Sequence, residues 1–423
     1  MVVISCTPKA TSQSTSPSLT HPSFNSTSEI IFATPTAKPS IRMECSEIIT
    51  DENAPTTGTL VIMNSTKMQT IPKATLEFPE TDTTVFLDSY SISPDRKKLA
   101  YIERSDSPLL ISNLVIIESG YDPVIIHDDG KWIGVAGWLD NDSLLLEKDV
   151  RNERGYISNP VPLIILDYKT GNSQELTPSF PGIYNLYPPI DEWKNFRFSE
   201  AIYDPLLEFV IYPKMLPHLN ALVLWDVKAE RQIVNFIGFD YYGTEPKWSP
   251  DGQTFVLAKY PGNSTTYLPE FSFKQELFSA SKDGASTQLT HLTNEYSDVR
   301  IGQFSWSPNG SYIAFWLLIP AIDYVGSANV PPDKLPRLAV LNMETLEVVN
   351  YCVTGGAFGI TDLGDPYFNE PDAPVWSPDS TKIAVQSATV DGGAVAIVDI
   401  VQNKTYEIAD IDFPIGWLIL DQP

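Results

Sequence analysis

Apolar and polar residues alternate along most of the chain in short runs, and each run stops at a cluster of turn-forming residues. The clearest case is KWSPDGQTFVLAKY, Lys247 to Tyr260. Trp248 and Ser249 close one strand. Pro250-Asp251-Gly252 form a tight turn, in which proline fixes φ, aspartate bonds back to the backbone and glycine allows positive φ. Thr254 to Lys259 is a second, apolar strand. The pattern returns as SISPDRKKLAYIE from Ser91, GWLDNDSLLLEK from Gly137, SWSPNGSYIAFWL from Ser305 and VWSPDSTKIAVQS from Val375. A copy centred on Ile202, AIYDPLLEFVIYP, reads as having lost the turn while keeping the strand after it.

Each such hairpin is followed by a second strand pair, for example ALVLWDVKAERQIVNF from Ala221 and RLAVLNMETLEVVNYCV from Arg337. The unit is therefore four antiparallel strands recurring at roughly 40–60 residues, which predicts an all-β propeller with low helix content. One strand pair, TGTLVIMNSTKMQTIP from Thr57, precedes the first hairpin, and one strand around Trp417 is left over at the other end. Together they complete a blade and remove the free edges of an open ring. Counting it predicts a seven-bladed β-propeller closed by pairing of its N- and C-terminal strands, with a six-bladed ring as the alternative.

The Trp-Ser-Pro-Asp-Gly hairpins resemble those of TolB-like and WD-repeat-like bacterial propellers, and the resemblance covers residues 58 to 420. The same repeats form the propeller of prolyl-oligopeptidase-type peptidases. The sequence has no counterpart of TolB's separate α/β domain or of a hydrolase domain, so neither family's whole function is implied.

Before the repeats, Val3-Ile4-Ser5-Cys6 resembles the lipobox of bacterial lipoproteins, which implies lipidation at Cys6. Only five residues precede Cys6, so either the natural start lies upstream or the match is chance. From Thr7 to Ser40, 20 of 34 residues are Ser, Thr or Pro, a composition that cannot bury a core. The expected organisation is a lipobox-like start and disordered tether over 1–40, then a single propeller over 41–423. The expected location is extracytoplasmic, periplasmic or at the cell surface.

The formal net charge of −25 excludes binding through a phosphate backbone, so no nucleic acid is expected and the membrane is met only through a lipid anchor. The three cysteines, Cys6, Cys45 and Cys352, form no C-x-x-C pair, and the four histidines are scattered, which disfavours zinc. Cys45 and Cys352 are expected to stay unbonded, because the whole Trp376 blade separates the closing blade from the one that ends in Cys352.

Connection lengths sort the two faces. All the Ser-Pro-Asp-Gly turns and the second, equally tight turns fall on one face. The long segments 148–160, 178–195, 237–245, 260–274, 319–336 and 354–373 all fall on the other. Long connections on a rigid scaffold commonly carry binding. Tyr184, Trp193, Tyr242, Tyr267, Asp362 and Tyr367 are the candidate ligand-binding residues, aromatic rings giving rigid contact area. The turn carboxylates Asp95, Asp251 and Asp379 recur with the turn and read as turn formers. Asp362, Asp365, Glu370 and Asp372 are a possible calcium set, without the order of a dedicated loop. No G-x-S-x-G, H-E-x-x-H, G-x-G-x-x-G or Walker sequence occurs. Two function classes follow: a non-enzymatic, monomeric scaffold for a protein, peptide or glycan, or a catalytic propeller (glycan hydrolase or lyase) with an acidic site shared between blades. The first is preferred, with no cofactor beyond possible calcium.

Overall fold

The computed structural model describes residues 41–45, 48–50, 58–64, 67–71, 76, 78, 86–104, 112–128, 132–148, 162–176, 201–216, 219–237, 244–261, 274–319, 330–360, 366–369, 371–389, 392–409 and 413–420. The described chain opens with β1 (Ile41–Met43), β2 (Ile48–Thr50), β3 (Thr59–Asn64) and β4 (Lys67–Ile71). Blade I then holds β5 (Phe86–Ile92), β6 (Lys98–Arg104), β7 (Ser112–Glu118) and β8 (Val124–Asp128). Blade II holds β9 (Trp132–Trp138), β10 (Ser143–Lys148), β11 (Leu163–Asp167) and β12 (Ser173–Leu176). Blade III holds β13 (Ile202–Tyr203), β14 (Phe209–Leu216), β15 (Leu219–Asp226) and β16 (Arg231–Ile237). Blade IV holds β17 (Lys247–Trp248), β18 (Thr254–Lys259), β19 (Glu276–Ser281) and β20 (Ser286–Gln288). Blade V is β21 (Arg300–Trp306), β22 (Tyr312–Leu318), β23 (Arg337–Asn342) and β24 (Val348–Thr354). After a hairpin of β25 (Ala357–Ile360) and β26 (Pro366–Asn369) comes blade VI, with β27 (Val375–Trp376), β28 (Lys382–Thr389), β29 (Gly392–Asp399) and β30 (Lys404–Ala409). The last strand, β31 (Phe413–Leu418), pairs with β3, giving blade VII the order β31-β3-β4. The fold is an all-β, seven-bladed propeller closed by its two chain ends. The 58–71 pair supplies the second and third strands of the closing blade, because Leu60 sits opposite Trp417 as Phe255 sits opposite Trp248.

The alternation does the packing. Ala100, Ile102, Leu114 and Ile116 face blade II, while Leu99, Tyr101, Val115 and Ile117 face blade VII, all at most 3% exposed. Each blade is thus apolar on both faces and drives one wedge into each neighbour. The recurrent tryptophan adds a directed bond. Its indole N–H donates to the carbonyl just before the equivalent position one blade back. The five bonds are Trp138 to Ser91 O (3.0 Å), Trp248 to Ile202 O (3.2 Å), Trp306 to Lys247 O (3.0 Å), Trp376 to Ser305 O (3.3 Å) and Trp417 to Val375 O (3.2 Å). At the seam Ile92 cannot donate. It packs instead over Gly416, where a Cβ would lie 2.0 Å from its Cδ1. The Ile419 amide donates to Arg96 O at 2.7 Å.

This ladder corrects the reading of blade III. Trp248 donates to Ile202, so the tryptophan-equivalent residue is Tyr203 and the earlier alignment is one residue short. The turn is not lost either. Asp204-Pro205 replaces Ser-Pro, the Asp204 carboxylate accepts the amides of Glu208 and Phe209 at 2.7 and 2.9 Å, and Leu207 takes the left-handed conformation (φ 57) that Gly252 (φ 65) takes in blade IV.

Two further corrections concern the N-terminal segment. β1 pairs in parallel with β24, and β2 in parallel with β30, so blades V and VI have five strands. The segment therefore crosses the outer edges of two blades before β3 enters the ring. Cys45 lies two residues past β1, beside blade V and not in the closing blade. It is disulfide-bonded to Cys352, with Cα atoms 5.1 Å apart, contrary to the expectation of free thiols. A bulge in β24 (φ 62 at Cys352) turns that cysteine toward the added strand, and the Glu44 amide donates to Asn350 O at 2.8 Å alongside.

Candidate functional site

The strand directions put the first-to-second and third-to-fourth connections of every blade on one face, and the remaining connections on the other. On the turn face no connection within the four-stranded blades exceeds five residues. These turns are built from their own polar atoms. The Ser93, Ser249, Ser307 and Ser377 hydroxyls donate to Asp95 (2.6 Å), Asp251 (2.6 Å), Asn309 (2.8 Å) and Asp379 (2.7 Å). The Ser249 hydroxyl and the Gln253 amide hold the Asp251 carboxyl below the usual carboxylate range. Turn carboxylates engaged in this way are structural.

The opposite, loop-side face is where β10 ends and β11 begins, β12 ends and β13 begins, β18 ends and β19 begins, and β22 ends and β23 begins. These are the ends joined by the long segments of the sequence. Tyr184, Trp193, Tyr242, Tyr267 and Asp362 lie outside the described residues, as does Cys6. Tyr367 belongs to β26, opposite Gly359, with its side chain outside the description. The β25–β26 hairpin was not expected, since 354–373 reads as an irregular link.

The described floor beneath those connections is rigid and polar. Glu276, fully buried at the start of β19, accepts four hydrogen bonds: Thr290 Oγ1 (2.6 Å), Leu292 N (2.8 Å), Thr293 N (2.8 Å) and Thr293 Oγ1 (2.7 Å). It clamps the link between blades IV and V around a short 3-10 turn, Leu292–Asn294. Beside it the Gln275 side-chain oxygen accepts the Ile301 amide at 2.8 Å, and Thr244 Oγ1 donates to Ile301 O at 2.9 Å. The Trp316 indole donates to Asp372 O at 2.7 Å and fills the space beside Gly355, where any Cβ would strike the ring at 2.2 Å. Burial, and then the Asp372 carboxylate, push the Tyr90 phenol well above its ordinary pKa. On blade I, Glu103, Asn113 and His127 stand in one cross-strand row. Asn113 Nδ2 donates to Glu103 Oε2 at 3.3 Å, and His127 Nδ1 lies 2.9 Å from Asn113 Oδ1.

At the end of β18 stands Lys259, 8% exposed. Its ammonium donates to Tyr260 O at 3.3 Å and lies 3.9 Å from the centroid of the Phe278 ring. Burial lowers its pKa below the ordinary lysine value. Sequence reasoning missed both Lys259 and Glu276, which read there as strand-end polar residues. The only signal available was their place beside a long connection. Among the described residues, no group of three metal-ligating side chains comes together.

No family model matches the chain, and no curated protein does. Solved structures of TolB-like and other β-propeller proteins are similar to it. TolB from Acinetobacter baumannii aligns at 14% identity and TM-score 0.43, over 77% of this chain and 65% of that one. A functionally unknown protein from Desulfotomaculum acetoxidans DSM 771 aligns at 12% identity and TM-score 0.47, over 86% and 100%. The β-propeller domain of the Trilobed protease from Pyrococcus furiosus aligns at 12% identity and TM-score 0.44, over 76% and 82%. The chain spans about two thirds of the length of that TolB.

Proposed function

We propose that the protein is a non-enzymatic, extracytoplasmic propeller that holds a protein, peptide or glycan on its loop-side face. The observation that carries this reading is the asymmetry of the two faces. One is a near-uniform set of self-satisfied turns. The other presents every long connection over a floor locked by Glu276, Gln275 and Trp316. Varied loops on a rigid frame suit recognition, because the frame itself has little ordering entropy left to lose on binding. The Cys45–Cys352 disulfide supports a location outside the reducing cytoplasm. Lipidation at Cys6 and a tether over 1–40 would hold the propeller near a membrane, and Tyr184, Trp193, Tyr242, Tyr267, Asp362 and Tyr367 would meet the partner.

The test compares binding of a partner captured by the full chain across three variants. Trp193→Ala and Tyr367→Ala should each cost more than ~1 kcal/mol of binding without unfolding the ring. Asp251→Ala on the turn face should leave binding intact. The opposite pattern, loss in the turn variant with the loop variants unaffected, places recognition on the wrong face and refutes the proposal.

A further inference from the structure

Three lysines of the described ring are buried, and they are not treated alike. Lys98 starts the second strand of blade I, on the turn face, and its ammonium lies 3.4 Å from Asp95 and 3.9 Å from Glu118. Lys382 occupies the same place in blade VI, 3.0 Å from Asp399. Both are buried with a carboxylate, as a desolvated ammonium requires. Lys259 stands at the other end of the equivalent strand of blade IV, on the loop-side face. Among the described residues it meets a backbone carbonyl and an aromatic ring but no carboxylate.

The obvious internal counter-ion is already engaged. Glu276 is directly opposite Lys259 in the β18–β19 register. Its two oxygens are taken up by the four donors of the 290–293 segment. Acids are abundant in a chain with 53 Asp and Glu against 28 Lys and Arg, so a buried lysine without one is not a matter of composition. Tyr260, whose carbonyl it reaches, is the first residue of the connection that carries Tyr267.

We propose that Lys259 anchors a carboxylate of the ligand, so that the counter-ion it lacks among the described residues arrives with the partner. A carboxylate here would complete the pairing already made within the chain at Lys98 and Lys382. The ring of Phe278 beneath the ammonium keeps the contact dry, where a charge-assisted hydrogen bond is strongest. The depressed pKa supports the assignment, since it is what an ammonium awaiting its counter-ion displays. The inference rests on the loop-side face being the binding face and gives that face its first chemical preference, for an acid.

The experiment follows the 13C resonance of the Lys259 ε-carbon in the full chain, assigned through Lys259→Arg, while propionate or its uncharged isostere propionamide is added. Propionate should shift the resonance saturably and propionamide should not. In Lys259→Met, which keeps the stem, the binding heat of propionate should vanish. The source of the acid is read by comparing propionate with the peptide acetyl-Gly-Glu-Gly-amide. Tighter binding of the peptide assigns the carboxylate to a polypeptide, and equal binding to a free acid. Lys259→Gln should weaken the tighter probe about tenfold or more. No saturable shift, or equal shifts with acid and amide, overturns the proposal. The readout is the lysine itself, so it is separable from the Trp193 and Tyr367 test. Failure there with success here leaves an anion site without the scaffold reading, and the converse removes only the anion site.

Discussion

Removing the Cys45–Cys352 bond isolates what the N-terminal segment contributes to the ring. The cysteines are 307 positions apart, so the bond closes most of the propeller into one loop. In the chain-entropy model a loop of that length lowers the entropy of the unfolded chain by an amount worth about 5–6 kcal/mol at 25 °C. That figure is an upper bound, because residual structure in the unfolded chain reduces it and typical bonds give ~2–4 kcal/mol. The native side loses little. The strand around Ile41–Met43 keeps its pairing with β24, its Glu44 amide bond to Asn350 O and its Ile41 amide bond to Glu295 at 3.1 Å. Cys45→Ser/Cys352→Ser should therefore fold to the same ring and lose ~2–5 kcal/mol in denaturant unfolding, with a larger m-value from a more expanded unfolded state. A chain lacking residues 1–46 in the Cys352→Ser background separates the cross-link from the strand pairing and should lose a further ~1 kcal/mol or more, the lost strand bonds being worth about that. An unchanged midpoint and m-value in the double serine variant would refute the argument.

Three other outcomes follow from the same geometry. Trp306→Phe removes the indole donor to Lys247 O and should cost ~1–3 kcal/mol, including the carbonyl left unpaired, in equilibrium unfolding. Glu230, exposed in a turn at φ 49, pays for a left-handed backbone, and Glu230→Gly should raise the midpoint by the equivalent of ~0.5–1 kcal/mol. Lys259 has a folded pKa below its unfolded one, so the unfolded chain holds that proton more tightly. Stability should therefore rise as pH climbs through the folded pKa and level off above the unfolded value near ~10.4, and Lys259→Met should remove that rise in denaturant midpoints measured against pH.

The blades were legible because strand alternation and a turn motif repeat, and a repeated signal survives errors in single copies. Blade III shows the limit. Asp204 does the work of Ser with different atoms and Tyr203 stands at the Trp position, so a search for the motif misplaces the copy by one residue. The N-terminal strands were not legible. Each is three residues long, and each pairs in parallel with a strand some 300 or more positions away, leaving no local turn or alternation to read. The disulfide was missed for the same reason: distance along the ring was taken from chain order, while the segment runs around the outside. On the loop-side face, connection length could be read from sequence. Lys259 and Glu276 could not, because their meaning lies in which of two facing strand ends already has its counter-charge.

The claim that recognition belongs to the loop-side face is tested most directly by site-specific photo-cross-linking in the native host cell. Benzoylphenylalanine is placed in turn at Tyr184, Trp193, Tyr242 and Tyr267, and at Gln253, Lys282 and Glu344 on the turn face. A discrete adduct from the first set and none from the second is the expected result. Adducts from the turn-face positions alone would contradict it.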